Sequence, residues 1–271
     1  MAGRLYVGRR NATFQHWETL LSNRKKRQRA GEFLVQGVRP ITLAVQAGWP
    51  LVSVLRQDGR RLSEWARGIV DEASAPVVDV APELIAELGE RPDEPPELVA
   101  VAAMPDDDLG RIEVGPAFLG AVFDRPTNPG NIGALIRSAD AFGVGGVVVT
   151  GHAADVYDPQ AVRASTGSLF AVPTVRAASH AQVLDWIGAH PEVRIVGTDE
   201  AGSVELADHD LTGPTLLLVG NETAGLSQAW RDACHVLARI PMGGTASSLN
   251  AANAATVAFY ETRVQRGRGR A

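Results

Sequence analysis

Four unbroken apolar runs constrain the second half of this chain: FLGAVFD (118–124), GVVVTG (146–151), RIVGTD (194–199) and TLLLVG (215–220). Each has strand length and is apolar on both faces, as a strand covered above and below must be. Helical stretches lie between them, among them NIGALIRSADAFG (131–143) and SHAQVLDWIGAH (179–190), and VLARIP (236–241) closes the set. Strands alternating with helices imply an α/β fold built on a parallel sheet. Ligands of such sheets sit in the loops beyond the C-terminal strand ends.

The preceding part reads as a smaller α/β unit. NATFQHWETLLSN spaces Phe14, Trp17, Leu20 and Leu21 as one helix face. EFLVQG, LVSVL, PVVDV and ELVAVAAM read as strands, and VRPITLAVQAG, RRLSEWARGIVDEA and PELIAELGE as helices. MPDDDLGRIEVGP then reads as a domain edge. The expected division is 1–108, a linker at 109–116, and 117–271.

Composition narrows the function classes. The single cysteine, Cys234, excludes an internal disulfide and a cysteine metal cage, and its setting suits a buried structural thiol. No run reaches membrane-spanning length and MAGRLYVGRRNATF lacks a signal-peptide core, so a cytoplasmic protein is expected, with no membrane partner and no metal. The net charge of -5 conceals an asymmetry: residues 1–70 carry 13 Lys+Arg against 4 Asp+Glu. Such a block is a candidate polyanion-contacting surface.

Three strand-end loops are richer than a connection requires. In FDRPTNPGNIGALIRSADAFGV, Pro126 and Pro129 stiffen the loop, Asn131 is a candidate helix cap, and Arg137 follows core residues Leu135 and Ile136. In LLLVGNETAGLSQAW, glycines let a ligand approach the backbone, and Ser227 is a candidate cap. This loop is neither a P-loop nor GxGxxG, so a nucleoside triphosphate or standard dinucleotide site is unsupported. In IPMGGTASSLNAANAATVAFYE, a Gly/Ser loop leads into a slim Ala-rich helix that Leu249 is expected to start. Burying Asn250 and Asn253 there without partners costs roughly 1–3 kcal/mol each. A fourth strip, RASTGSLFAVP, reads as a polar loop suited to an anion.

Together these segments resemble the SpoU (TrmH-like) RNA ribose 2'-O-methyltransferases. NPGNIGALIRSADAFGV is similar to that family's first motif, LLVGNETAGLS to its second and IPMGGTASSLNAANAATVAFYE to its third, in the family's order across 117–262. The first part resembles the L30e-like substrate-binding domain of the ribosomal RNA members. The resemblance implies a C-terminal domain tied in a trefoil knot (SPOUT), S-adenosylmethionine as cofactor, a homodimer, and 23S ribosomal RNA, at a uridine, as substrate.

The resemblance places Arg137, Asn131, Glu222, Ser248 and Asn250 at the catalytic centre. It assigns the cofactor to Leu218, Val219, Gly220, Asn221, Ile240, Met242, Ser248 and Leu249. The candidate RNA contacts are Arg24, Lys25, Lys26, Arg27, Arg29 and Arg163, helped by Arg9, Arg10 and the tail arginines. An arginine does not ordinarily deprotonate, so Arg137 suits a phosphate or a developing alkoxide better than a plain general-base role, with a base coupled to the phosphate as the alternative. A tRNA-directed relative would be expected to lack so large a first domain. A non-catalytic RNA-binding protein would have no need of Arg137, Asn131, Ser248 and Asn250.

Overall fold

A computed structural model describes residues 5–89 and 94–268. It divides into two compact units: Met1–Pro105 with Tyr157–Ala171, and Asp106–Val156 with Val172–Ala271.

The first unit runs β1 (Leu5–Val7), α1 (Ala12–Ser22), α2 (Arg24–Ala30), β2 (Glu32–Gln36), α3 (Val38–Gln46), β3 (Leu51–Gln57), α4 (Glu64–Glu72), β4 (Val77–Val80), α5 (Pro82–Leu88) and β5 (Leu98–Ala103). Its sheet has the order β1-β4-β3-β5-β2. β1, β4 and β3 are parallel, whereas β5 runs antiparallel to both β3 and β2. The apolar face of α1 delivers Phe14, Trp17 and Leu20 to a core shared with Leu55, Val80, Ile85 and Val99. Asn11 caps α1 by accepting from the Phe14 amide, and Asn23 caps α2 by accepting from the Lys26 amide.

The second unit begins with β6 (Leu119–Asp124), α6 (Pro129–Phe142) and β7 (Gly146–Thr150). The chain then makes α7 (Pro159–Ser165) and a short 3₁₀ turn (Ser168–Phe170), both belonging to the first unit. The strip RASTGSLFAVP is therefore not an open polar loop. Ser165 is fully buried and donates to the Val162 carbonyl, and Leu169 and Phe170 join the interior. Phe33 of β2 packs on Tyr157 and Phe170, and Trp49 meets Phe170 edge-on.

The second unit resumes with β8 (Thr174–Ala177), α8 (His180–Gly188), β9 (Arg194–Thr198), β10 (Val204–Glu205), β11 (Thr215–Val219), α9 (Gln228–Ala233), β12 (Val236–Arg239) and α10 (Ala251–Arg268). Its seven strands pair in parallel in the order β10-β12-β9-β11-β6-β7-β8. β6, β7 and β11 are buried along their whole length, as their apolar runs require. The sheet packs Val122, Val148, Leu216 and Leu218 against Val183, Ile187 and Trp230 from the helices. Cys234 is partly covered at the edge of this core, and burial pushes its thiol up to about 11, the setting of an inert structural cysteine.

Candidate active site at the strand ends

The C-terminal ends of β12, β9 and β11 are neighbours in the sheet, and the loops leaving them enclose a cleft of about 420 Å³. That volume lies in the range of small-molecule sites. Val219, Gly220, Asn221 and Glu222 line it from the β11 loop, and Ile240, Met242, Ser248 and Leu249 from the stretch after β12. These eight expected residues are thus brought together. Leu218 is not among them. It is fully buried, and its carbonyl accepts from the Thr198 hydroxyl at 3.0 Å.

The β11 loop is built for close approach. A Cβ on Gly220 would come within 2.4 Å of the Gly225 carbonyl carbon and the Leu226 nitrogen, so only glycine lets the loop fold back. Asn221 and Gly225 exchange backbone hydrogen bonds at 3.0 Å in both directions. The Asn221 side-chain oxygen accepts from the Thr223 and Ala224 amides at 2.9 Å.

Glu222 connects this loop to the start of α6. Its carboxylate accepts from the Thr127 amide at 3.0 Å, the Thr127 hydroxyl at 3.1 Å and the Asn128 amide at 3.2 Å. Asn131 donates to it at 2.9 Å, and Asn250 donates to Asn131 at 3.0 Å. Burial pushes the Glu222 carboxyl up, but hydrogen bonds from Asn131, Thr127 and Asn128 outweigh it and hold the group below its ordinary value.

This arrangement depends on helix starts that differ from expectation. Asn128, not Asn131, caps α6, accepting from the Gly130 amide at 2.7 Å with Pro129 in the first turn. Asn131 lies one turn in, which leaves its amide for Glu222 and Asn250. Leu249 does not start α10; the helix begins at Ala251, and Asn250 accepts from the Ala252 amide. Asn250 therefore serves as cap and as link. Ser227 makes no side-chain cap to α9, and its amide instead donates to buried Asp124 at 2.9 Å.

Arg137 lies on the exposed face of α6 and does not line the cleft. It follows Asn131 by six residues, about 9 Å along the helix axis. The cleft also includes Thr198 and Asp199, which end the expected strand RIVGTD, and Glu200 directly after it. Asp199 is nearly buried and pairs with Arg231 at 2.5 Å. Their signal was the polar triplet directly beyond RIVG, where a parallel sheet puts its ligands.

α2 presents Arg24, Lys25, Lys26 and Arg29 to solvent, and Arg163 is exposed on α7 of the same unit. Arg27 is a correction to the expected RNA patch. It is 1% exposed, donates to the Leu20 carbonyl at 2.8 Å and pairs with Asp158 at 3.2 Å. Asp158 is also the N-cap of α7, so Arg27 anchors that helix instead of meeting a phosphate. Arg10 is bound to Glu18 and Glu87. Of the tail arginines, Arg266 grips the carbonyls of Leu211, Ala117, Phe118 and Gly213, and Arg270 lies outside the described residues.

The family models decide the kinship: residues 119–260 match the SpoU rRNA Methylase family, and residues 11–100 the SpoU L30e-like domain. The chain belongs to the SpoU rRNA methylase family. Among SpoU relatives, it is 57% identical over 96% of its length to the 23S rRNA (uridine(2479)-2'-O)-methyltransferase of Streptomyces viridochromogenes, covering 92% of that protein. It is 32% identical to the 23S rRNA (guanosine-2'-O-)-methyltransferase RlmB of Pseudomonas syringae pv. tomato, over 83% of this chain and 82% of that one. The crystal structure of the SpoU methyltransferase AviRb from Streptomyces viridochromogenes in complex with AdoMet superimposes with a TM-score of 0.91. That match spans 95% of this chain and 98% of the other at 57% identity. Among the described residues no group of His, Cys, Asp and Glu is placed to hold a metal, and no helix is long and apolar enough to cross a membrane.

Proposed function

We propose that this protein methylates the ribose 2'-hydroxyl of a uridine in 23S ribosomal RNA, using S-adenosylmethionine. The observation that carries the reading is the single network Glu222–Asn131–Asn250, which ties the three motif segments together, with Glu222 on the cleft wall. The 57% identity with a 23S rRNA uridine methyltransferase supports the substrate.

The cleft fits the cofactor. It has backbone brought close by Gly220, apolar walls from Ile240, Met242 and Leu249, and polar groups from Asn221, Glu222 and Ser248. S-adenosylmethionine supplies an already activated methyl group when bound. The chain then has to orient the ribose and help its hydroxyl lose a proton. Asn131, locked to Glu222, and Asn250, bonded to Asn131, hold fixed amides at the heads of α6 and α10. Arg137 neutralises an RNA phosphate and favours the developing alkoxide, a role its permanent charge and exposed position suit.

RNA docks on the first unit through Arg24, Lys25, Lys26, Arg29 and Arg163. Two copies pair through α6 and α10, a reading supported by exposed Val257 and Tyr260 on α10, with Tyr260 against Phe142. The stretch 240–250 is threaded as a trefoil knot, as in SpoU enzymes, and the protein acts in the cytoplasm. The methyl mark shields the ribosome from an antibiotic such as avilamycin.

The test is a map of ribose methylation across 23S rRNA in cells with and without the protein, repeated with purified protein and labelled S-adenosylmethionine. One uridine should lose its mark with the gene. Identical maps would end the proposal.

A further inference from the structure

Arg125 stands at the C-terminal end of β6 with φ of 52°, a left-handed conformation that arginine rarely takes. It belongs to none of the groups assigned above. Its backbone carbonyl accepts from the Asn221 side-chain amide at 2.7 Å. Its guanidinium donates to the Gly225 carbonyl at 3.2 Å and pairs with Asp124 at 3.0 Å. Asp124 is 3% exposed and also accepts from the Ser227 amide and the Thr150 hydroxyl. One residue thus grips the 221–225 loop at both ends and fastens it to the buried acid that ends β6. Gly151 makes room for it: a Cβ there would come 2.8 Å from the Arg125 Cγ.

From this geometry we infer that Arg125 is a positioning residue that holds the 221–225 loop in its cofactor-ready shape. The inference rests on the reading that the cleft binds S-adenosylmethionine. A left-handed backbone at a non-glycine residue persists where surrounding contacts over-determine it, and such residues cluster at functional sites. Here the backbone turn aims the carbonyl at Asn221 while the guanidinium reaches Gly225, so both grips follow from one conformation. Without the guanidinium the loop keeps its Asn221–Gly225 backbone pair but loses the link from Gly225 to Asp124, and the cofactor must fix the loop's position as it binds.

The test compares the full-length parent with Arg125→Gly and Arg125→Ala by calorimetry with S-adenosylmethionine, thermal melting, and methyl transfer to 23S rRNA. Glycine accepts the left-handed turn, so Arg125→Gly should melt close to the parent. It should bind the cofactor about tenfold more weakly, as loss of a charge-assisted hydrogen bond implies. KM for the cofactor should rise in step, with kcat changing by about threefold or less. Unchanged affinity in a folded Arg125→Gly variant overturns the inference, and so does loss of fold in both variants, because Arg125 would then hold the sheet instead of the loop. A parent protein that fails to bind the cofactor overturns the cofactor reading itself.

Discussion

Asn250 donates from its side-chain amide to the Asn131 side-chain oxygen across 3.0 Å, joining the heads of α10 and α6 over 119 residues of sequence. The same Asn131 donates onward to Glu222. Asn250 and Asn253 are both exposed, so the expected cost of burying unpaired amides does not arise, and the Asn250 amide is paired all the same.

Replacing Asn131 with alanine should cut the single-turnover rate of methyl transfer by on the order of 100-fold, the usual cost of losing one oriented polar group. Cofactor affinity should change by about threefold at most. Asn131→Asp should be worse still, because it sets a second carboxylate against Glu222. Rapid-quench transfer and calorimetry separate the two effects.

Glu222 makes a pH prediction. Its carboxyl is held below 4.5 in the folded protein, so the folded state gains stability from it that is fully present above 4.5. That gain is lost as pH falls through the folded value. The parent should therefore melt above Glu222→Gln at neutral pH, and the gap should close under acid conditions. A gap that widens on acidification would contradict the assignment.

Arg137 is exposed, so Arg137→Ala should fold and bind S-adenosylmethionine normally. Methyl transfer should fall by about a thousandfold, in line with loss of a charge acting on the reacting group. Labelled-methyl incorporation beside a binding isotherm tests this, and near-parental turnover would remove Arg137 from the chemistry.

The basic helix offers two contrasting substitutions. Neutralising Arg24, Lys25, Lys26 and Arg29 should leave the melting temperature in place. It should flatten the salt dependence of RNA binding by about 0.7–0.9 in slope for each phosphate left without its cation. Arg27→Ala should instead destabilise the protein by about 3 kcal/mol, because it strips Asp158 of its buried partner. Filter binding across a salt series and denaturant melts distinguish the two.

The sheet was legible because its strands are apolar on both faces, and the motif loops because glycine, proline and asparagine punctuate them. Interactions that join distant segments were not legible. Choosing Asn128 over Asn131 as the cap depends on where Pro129 starts the helix. Arg27 reads as one more cation in NRKKRQRA until Asp158 arrives from 131 residues away. The apolar character of Leu169 and Phe170 was in view, but only the fold supplies Phe33 and Trp49 as partners for Phe170. β8 was missed because TVRA is short and polar at alternate positions.

The excursion Tyr157–Ala171 has a consequence for anyone who wishes to exchange one half of this enzyme for a relative's. A single splice after Pro105 would leave Tyr157, Leu169 and Phe170 behind on the wrong piece, with Tyr157 and Phe170 stripped of the aromatic neighbours that cover them. A working chimera needs three junctions, and the donor's 157–171 equivalent must travel with its N-terminal module.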